Sequence, residues 1–413
     1  MTNEKSIRKR NFYSLIIEGM FFWIGLAFLD SNSVIPVFIS TYTGSLYLAG
    51  LATTLRIASS LLAQLAIGPH IQRIKNMPAF IIRIMLLFRP LPILMIPVLL
   101  LSNNLFFPVW VFLIIFSLLW ISDGLIVVPW LDVFGRTIES STRGKLLGYQ
   151  QVLGGIGSLL AGLIIKEALE HPTLSDGVRY SIIFGSAGII LLISCIAMSF
   201  VKDFPREAME HKPNPFDYFA KLPGYFRKNK LYARMVMTQI VGGFSWMVMP
   251  FIILYNKNTF NLNPVQISTL IYIQIVGTLA GGIFWGNISH RLGSRYVISI
   301  SQMISFVLSL LVLISLPLSN IFDAFYLAAT MSFLAGLSMG AWMGFVNYTI
   351  EVVDDNERPI YFVLTSVITL PLALLPFLSG LSANAWGFTH LFIVSLSAAV
   401  IAFILSLKLE TVK

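Results

Sequence analysis

The chain has 413 residues, 56% of them hydrophobic and 11% charged, with a mean hydropathy of +0.81. Soluble domains carry about 25% charge, so a water-exposed particle of this size would lack the charged groups to cover its surface, which excludes an ordinary soluble enzyme. The net charge of +9, from 28 Lys and Arg against 19 Asp and Glu, suggests nucleic acid only if the charges share a folded face. Basic loops at a membrane produce the same excess.

A spanning helix takes about 20 mainly apolar residues. Splitting the chain at charge, Pro and Asn clusters predicts twelve spans, at 12–39, 46–68, 78–101, 106–130, 146–166, 179–201, 231–255, 265–287, 296–317, 322–349, 361–383 and 387–407. The first is too long for a signal-peptide core, is interrupted by Glu18 and Asp30, and has no small-residue cleavage pattern after it. It is expected to stay. The polar stretch 202–230 divides the spans six and six. The expected organisation is therefore an N-terminal six-helix bundle over 1–201, a cytoplasmic connector over 202–230 with a short surface helix around Phe216 to Phe226, and a C-terminal six-helix bundle over 231–413. Of the 28 Lys and Arg, 22 fall in the termini and alternate loops on one side, three (Lys166, Arg179, Lys257) on the other, and Arg56, Arg83 and Arg89 within spans. The positive-inside rule then places both termini in the cytoplasm, and the charge excess needs no nucleic-acid partner. The only cysteine, Cys195, sits inside an apolar run, which excludes a disulfide and a Cys-based metal site.

The two halves are internally similar. At an offset of 218 Arg56 falls on Gln274, Gly68 on Gly286 and Arg73 on Arg291; at 215 Asp132 falls on Asn347, Glu139 on Asp354 and Arg143 on Arg358. Paired six-helix repeats are a hallmark of transporters.

On these loops the sequence resembles the major facilitator superfamily of secondary transporters, along essentially its whole length. The family's Gly, Asp-Arg, Gly-Arg-Arg/Lys loop signature is matched by Gly286-Asn-Ile-Ser-His290-Arg291-Leu-Gly293-Ser-Arg295. A weaker copy is Gly68-Pro-His-Ile-Gln72-Arg73-Ile-Lys75, with Gln where the family has Asp. The loop from Asp132 through Arg136 to Arg143, and its counterpart containing Arg358, also look like the family's. The resemblance implies an all-α polytopic fold of two pseudo-symmetric bundles, and a cytoplasmic latch or gate formed by Gly68, Arg73, Asp132, Arg136, Arg143, Gly286, Arg291 and Arg358. The run Gly154-Gly155-Ile-Gly157-Ser158-Leu-Leu-Ala161-Gly162 is similar to the family's antiporter motif but has Ser158 in place of its Pro; close helix packing accounts for it.

A charged side chain at mid-helix costs about 2.5–3.5 kcal/mol on insertion scales. The first half holds six in its spans, Glu18, Asp30, Arg56, Arg83, Arg89 and Asp123; the second has only Gln239, Gln274, Gln302, Asn347 and His390. At 1.5 Å per residue Glu18, Arg83 and Asp123 fall toward the cytoplasmic side, and Asp30, Arg56 and Arg89 nearer mid-membrane. Coupling is expected from Asp30 titrating against Arg56 or Arg89, with Glu18 and Asp123 as further candidates; static ion pairs joining the first four helices are the other reading. Trp23 with Asp30, Asp123 with Trp130, and Gln239 with Trp246 lie seven residues apart, hence on one helix face. Trp23, Trp120, Gln239, Trp246, Gln274, Trp342 and Asn347 are the expected lining of a substrate cavity, with Trp130 read as a membrane-interface residue. Pro36, Pro250, Pro371 and Pro376 interrupt spans where freed backbone needs other partners.

These features predict a secondary active transporter in the cytoplasmic membrane, working as a monomer on a small molecule by alternating access and exporting an amphipathic compound against protons. It needs no cofactor or metal beyond the proton gradient. Proton-coupled uptake of an anionic metabolite or sugar, and lipid flipping, are the alternatives. No nucleotide loop, His-Glu-x-x-His zinc site or Gly-x-Ser-x-Gly elbow occurs, so an enzyme is not expected.

Overall fold

A computed structural model of the chain describes residues 2–67, 74, 76–102, 104–203, 224, 226, 228–353 and 357–410. The expected surface helix around Phe216 to Phe226, and most of the connector, lie outside the described residues.

Among the described residues, twelve helical segments, several of them broken, follow one another at the predicted places. α1 runs Thr2–Ala27 and resumes as Val34–Thr43; α2 is Leu46–Ile67; α3 is Met77–Phe88 and, after a 3-10 turn at Leu91–Leu94, Met95–Leu101. α4 is Phe106–Thr137, α5 Ser140–Glu170 and α6 Asp176–Ser199. α7 is Lys230–Trp246 and Ile252–Phe260, α8 Pro264–Leu292 and α9 Ser294–Leu313. α10 is Ala324–Ser338 and Met343–Val352, α11 Arg358–Thr369 and Leu375–Trp386, and α12 Thr389–Leu407. Eleven of them, α2 to α12, are long and apolar enough to cross a membrane. The remaining one, α1, carries Glu18 and is interrupted at Asp30.

The starts are dictated by local chemistry. Asn76, Ser175 and Asn229 each accept a backbone N–H of the first turn of α3, α6 and α7, satisfying donors that have no partner within the helix. Asn263 and Gln266 form a reciprocal capping box on α8. Proline accounts for three of the breaks, because its ring clashes with the carbonyl four residues back. For Pro250 that residue is Trp246 and for Pro92 it is Phe88, the last residues of the first pieces of α7 and α3. For Pro36 it is Asn32, inside the break of α1. The breaks at 28–33 and 247–251 end at positions related by the same offset of 218 that relates the loops.

Contacts divide the chain into two compact units. The first comprises Met1–Asp30 and Leu55–Asn214, the second Ser31–Thr54 and Pro215–Lys413. The second piece of α1 and the first turns of α2 thus group with the C-terminal helices. Within that second unit Thr54 Oγ1 accepts the Phe377 backbone N–H at 3.2 Å, and Lys257 Nζ donates to Ser40 Oγ at 3.1 Å.

In the first unit α1 packs on α5 and α6, and α3 on α4 and α6, around a core that includes Leu15, Met77, Ile81, Met85, Val133 and Met198. In the second, α8 packs on α10, and α12 on α7 and α9. Both units use glycine to bring two backbones together. A Cβ on Gly124 would lie 2.1 Å from the Ser60 carbonyl oxygen, joining α4 to α2, and one on Gly336 would lie 2.1 Å from that of Gln274, joining α10 to α8.

Candidate functional site

The first unit buries an ion pair that the depth argument does not anticipate. Arg89 Nη1 donates to Glu18 Oε1 at 3.0 Å, with the two residues 4% and 3% exposed. Sequence spacing had grouped Arg89 with Asp30; the structure gives it Glu18 instead, because α3 ends its first piece at Phe88 and presents Arg89 to α1. Ser194 of α6 joins both, accepting from Arg89 Nη1 and donating to Glu18 Oε1. Phe22 lies under the guanidinium, 4.5 Å from ring centroid to Cζ. Trp130, read from sequence as an interface residue, donates its indole N–H to Glu18 Oε2 at 3.2 Å. Four helices, α1, α3, α4 and α6, thus meet at one self-neutralised pair.

Beside it lies a second group. The Arg56 guanidinium of α2 sits over the Trp120 ring of α4, 5.2 Å from its centroid, and is within electrostatic reach of Asp30 and Asp123. Asp123 in turn is within reach of Arg89, Glu18 and Arg56. Among the described residues Arg56 forms no salt bridge or hydrogen bond, and the Trp120 indole N–H is buried without an acceptor. Trp120 and Asp123 share a face of α4 at i, i+3, with Phe116 edge-on to Trp120 at 6.1 Å.

Asp30 lies in the break of α1. The seven-residue spacing from Trp23 therefore does not carry one helix face across to Asp30, since the helix unwinds after Ala27. Trp23 is 50% exposed and lies against Gly154. The small-residue run on α5 serves close packing there: a Cβ on Gly154 would fall 2.8 Å from Trp23 Cβ, and one on Gly157 would strike Ile24. Arg83 is exposed and belongs to neither group.

In the second unit Gln274, the counterpart of Arg56, is 3% exposed, and its side-chain carbonyl is buried without a donor; the same holds for the Gln239 carbonyl. Trp246 packs against the core around Trp285 and Val297, while Trp342 is 53% exposed. Asn347 Nδ2 donates to Ser289 Oγ at 3.3 Å. Trp285, which no periodicity singled out, donates its N–H to the Leu337 carbonyl at 2.7 Å.

Of the expected latch, Arg136 is bound to Asp132 at 2.9 Å and to Asp203 at 2.8 Å, tying the end of α4 to the residues after α6. Gly286 faces open space and Arg291 is exposed, and among the described residues Arg291 forms no ion pair. Gly68 and Arg73 lie outside the described residues, as do the side chains of Arg143 and Arg358.

Among the described residues, eleven helices long and apolar enough to cross a membrane define a polytopic membrane fold. Two solved structures share this fold. A bacterial homolog of the human lysosomal transporter Spinster, in an inward-facing and occupied conformation, is 13% identical over 97% of this chain and 96% of its own, with a TM-score of 0.66. A D-xylose-proton symporter is 16% identical over 98% of each chain, with a TM-score of 0.69. Residues 234–413 match the family model of the Major Facilitator Superfamily. The chain thus resembles that superfamily over residues 234–413, and shares the fold of the two solved structures over nearly its whole length.

Proposed function

We propose that the protein is a proton-coupled exporter of an amphipathic compound. It works as a monomer by alternating access in the cytoplasmic membrane, with both termini in the cytoplasm and the proton gradient as its energy source. The observation that carries this reading is a carboxylate inside a membrane span: Asp123, which forms no salt bridge or hydrogen bond among the described residues, lies within electrostatic reach of Arg89, Glu18 and Arg56, while Glu18 and Arg89 are held in a direct pair. A charged carboxylate away from water is costly, and binding one proton neutralises it. The aromatic surface of Trp120 and Phe116 beside Asp123 suits an apolar body with a polar end. The D-xylose-proton symporter, by its own description proton-coupled, supports coupling on this fold.

The test is reconstitution in vesicles with an imposed pH gradient and a permanently charged dye, ethidium or calcein, outside. Acid-inside vesicles accumulate a dye, nigericin abolishes the accumulation, and Asp123→Asn and Asp30→Asn reduce its dependence on the gradient. Flux of neither dye responding to the gradient, or both variants behaving as wild type, overturns the reading.

A further inference from the structure

Where α5 ends and α6 begins, the first unit has a cavity lined by none of the residues around Glu18 or Asp123. Its volume is about 550 Å³, and its apolar wall is Leu163 and Ile164 of α5 with Ile182 of α6. Its charged lining is Lys166, Glu167 and Glu170, all from α5. Leu163, Glu167 and Glu170 recur at i, i+4 and i+7 and so share one helix face. Along that face the lining turns from apolar to charged within about 10 Å.

The edge of a bilayer is graded in the same way, from hydrocarbon to headgroup. After Lys145 the next charges on α5 are these three, in its last five positions. Leu163, Ile164 and Ile182 are 48%, 44% and 38% exposed on spans long and apolar enough to cross a membrane, so a lipid chain is what meets them. The turn beyond α5 is fixed. The His171 carbonyl accepts from Arg179 Nη2 at 2.8 Å, and its ring Nδ1 lies 3.2 Å from Thr173 Oγ1.

The three charges select the headgroup. Lys166 Nζ lies 3.8 Å from Glu170 Oε1 in a loose i,i+4 pair, whereas the Glu167 carboxylate forms no ion pair or hydrogen bond among the described residues. One ammonium against two carboxylates leaves the lining negative, which disfavours an anionic lipid. A headgroup that carries both a phosphate and an amine meets an opposite charge at each end, because Lys166 and Glu167 are adjacent. A primary ammonium has N–H donors for a carboxylate; the trimethylated nitrogen of choline has none.

We propose that this cavity binds a phospholipid with an ethanolamine headgroup. The phosphate rests on Lys166, the ammonium on Glu167, and an acyl chain lies along Leu163, Ile164 and Ile182. The site is contained in the first unit and is independent of the transported compound and its coupling.

The experiment is native mass spectrometry of the full-length protein in detergent. Phosphatidylethanolamine, phosphatidylcholine and phosphatidylglycerol with identical acyl chains are added in equal amounts. The ethanolamine lipid is expected to be retained up to about fivefold more than either competitor, the range of an exposed ion pair. Glu167→Gln brings the ratio of ethanolamine to choline lipid close to one. Glu139→Gln, which alters an exposed carboxylate at the other end of α5, leaves the ratio unchanged. Ile182→Trp, which fills the apolar side, lowers retention of all three lipids. Glu167 is exposed, so its replacement should leave the fold intact; should Glu167→Gln fail to fold, Glu167→Ser carries the same expectation. Equal retention of ethanolamine and choline lipid by the wild type overturns the proposal, as does a wild-type ratio in the Glu167 variants. Preferential retention of phosphatidylglycerol makes Lys166 the determinant of an anionic-lipid site and overturns it too.

Discussion

The indole N–H of Trp130 points at Glu18 Oε2, 3.2 Å away, while Arg89 holds Oε1 of the same carboxylate at 3.0 Å. Both oxygens of Glu18 are thereby engaged by donors. This carboxylate ties α1 to α3 and α4, which assigns it a structural part.

Removing one member of a buried pair strands the other, at a cost of about 3–5 kcal/mol. Arg89→Met and Glu18→Gln are each expected to lower the unfolding temperature strongly, with the double variant closer to wild type than either single one. A thermal unfolding series of the three proteins in one detergent checks this, and additive losses would contradict it.

Trp130→Phe keeps the ring stacked on Phe134 and loses only the N–H. It is expected to cost about 1.5–3 kcal/mol, as for a hydrogen bond to a charged group, and less than Glu18→Gln. The same unfolding assay ranks the two.

Cys195 is the only cysteine and is fully buried beside Ser194. Native protein should therefore resist a maleimide dye, and labelling should rise in step with loss of helical signal on heating. Rapid labelling of native protein would show that the α6 contact opens below the unfolding transition.

Gly336→Val and Gly124→Val each place a side chain where a carbonyl oxygen lies 2.1 Å from the new Cβ. Neither backbone has room to yield cheaply, so both variants are expected to lose folded yield. Gly286→Ala, facing open space, should be tolerated. Size-exclusion profiles of the purified proteins distinguish the three.

Asn263→Ala removes the side chain that caps α8 and its reciprocal partner contact with Gln266. The expected loss is about 1 kcal/mol, readable as a small fall in unfolding temperature without change in the helical content of the native protein.

Much of this was legible in the chain itself. Span positions follow from where apolar runs stop at charge and proline, since neither lipid nor helix accepts an unsatisfied backbone group. The offset of 218 then links Arg56 to Gln274 and reappears as matching breaks in α1 and α7. Pairing was not legible. Depth along each helix separated Glu18 from Arg89, yet they meet, because depth ignores the direction in which a side chain leaves its helix and the interruption at Arg89 redirects it. Trp130 resembled a membrane-belt tryptophan for the same reason: its partner lies on another helix, 112 positions away.

The sequence by itself determined where the apolar helical segments lie and that the charged residues inside the predicted spans fall in the first six, because hydropathy, proline and charge act locally along the chain. Only the tertiary structure decided that Glu18 pairs with Arg89 while Arg56 rests on the ring of Trp120. Which charges neutralise one another depends on distances between helices that no local rule along the chain encodes.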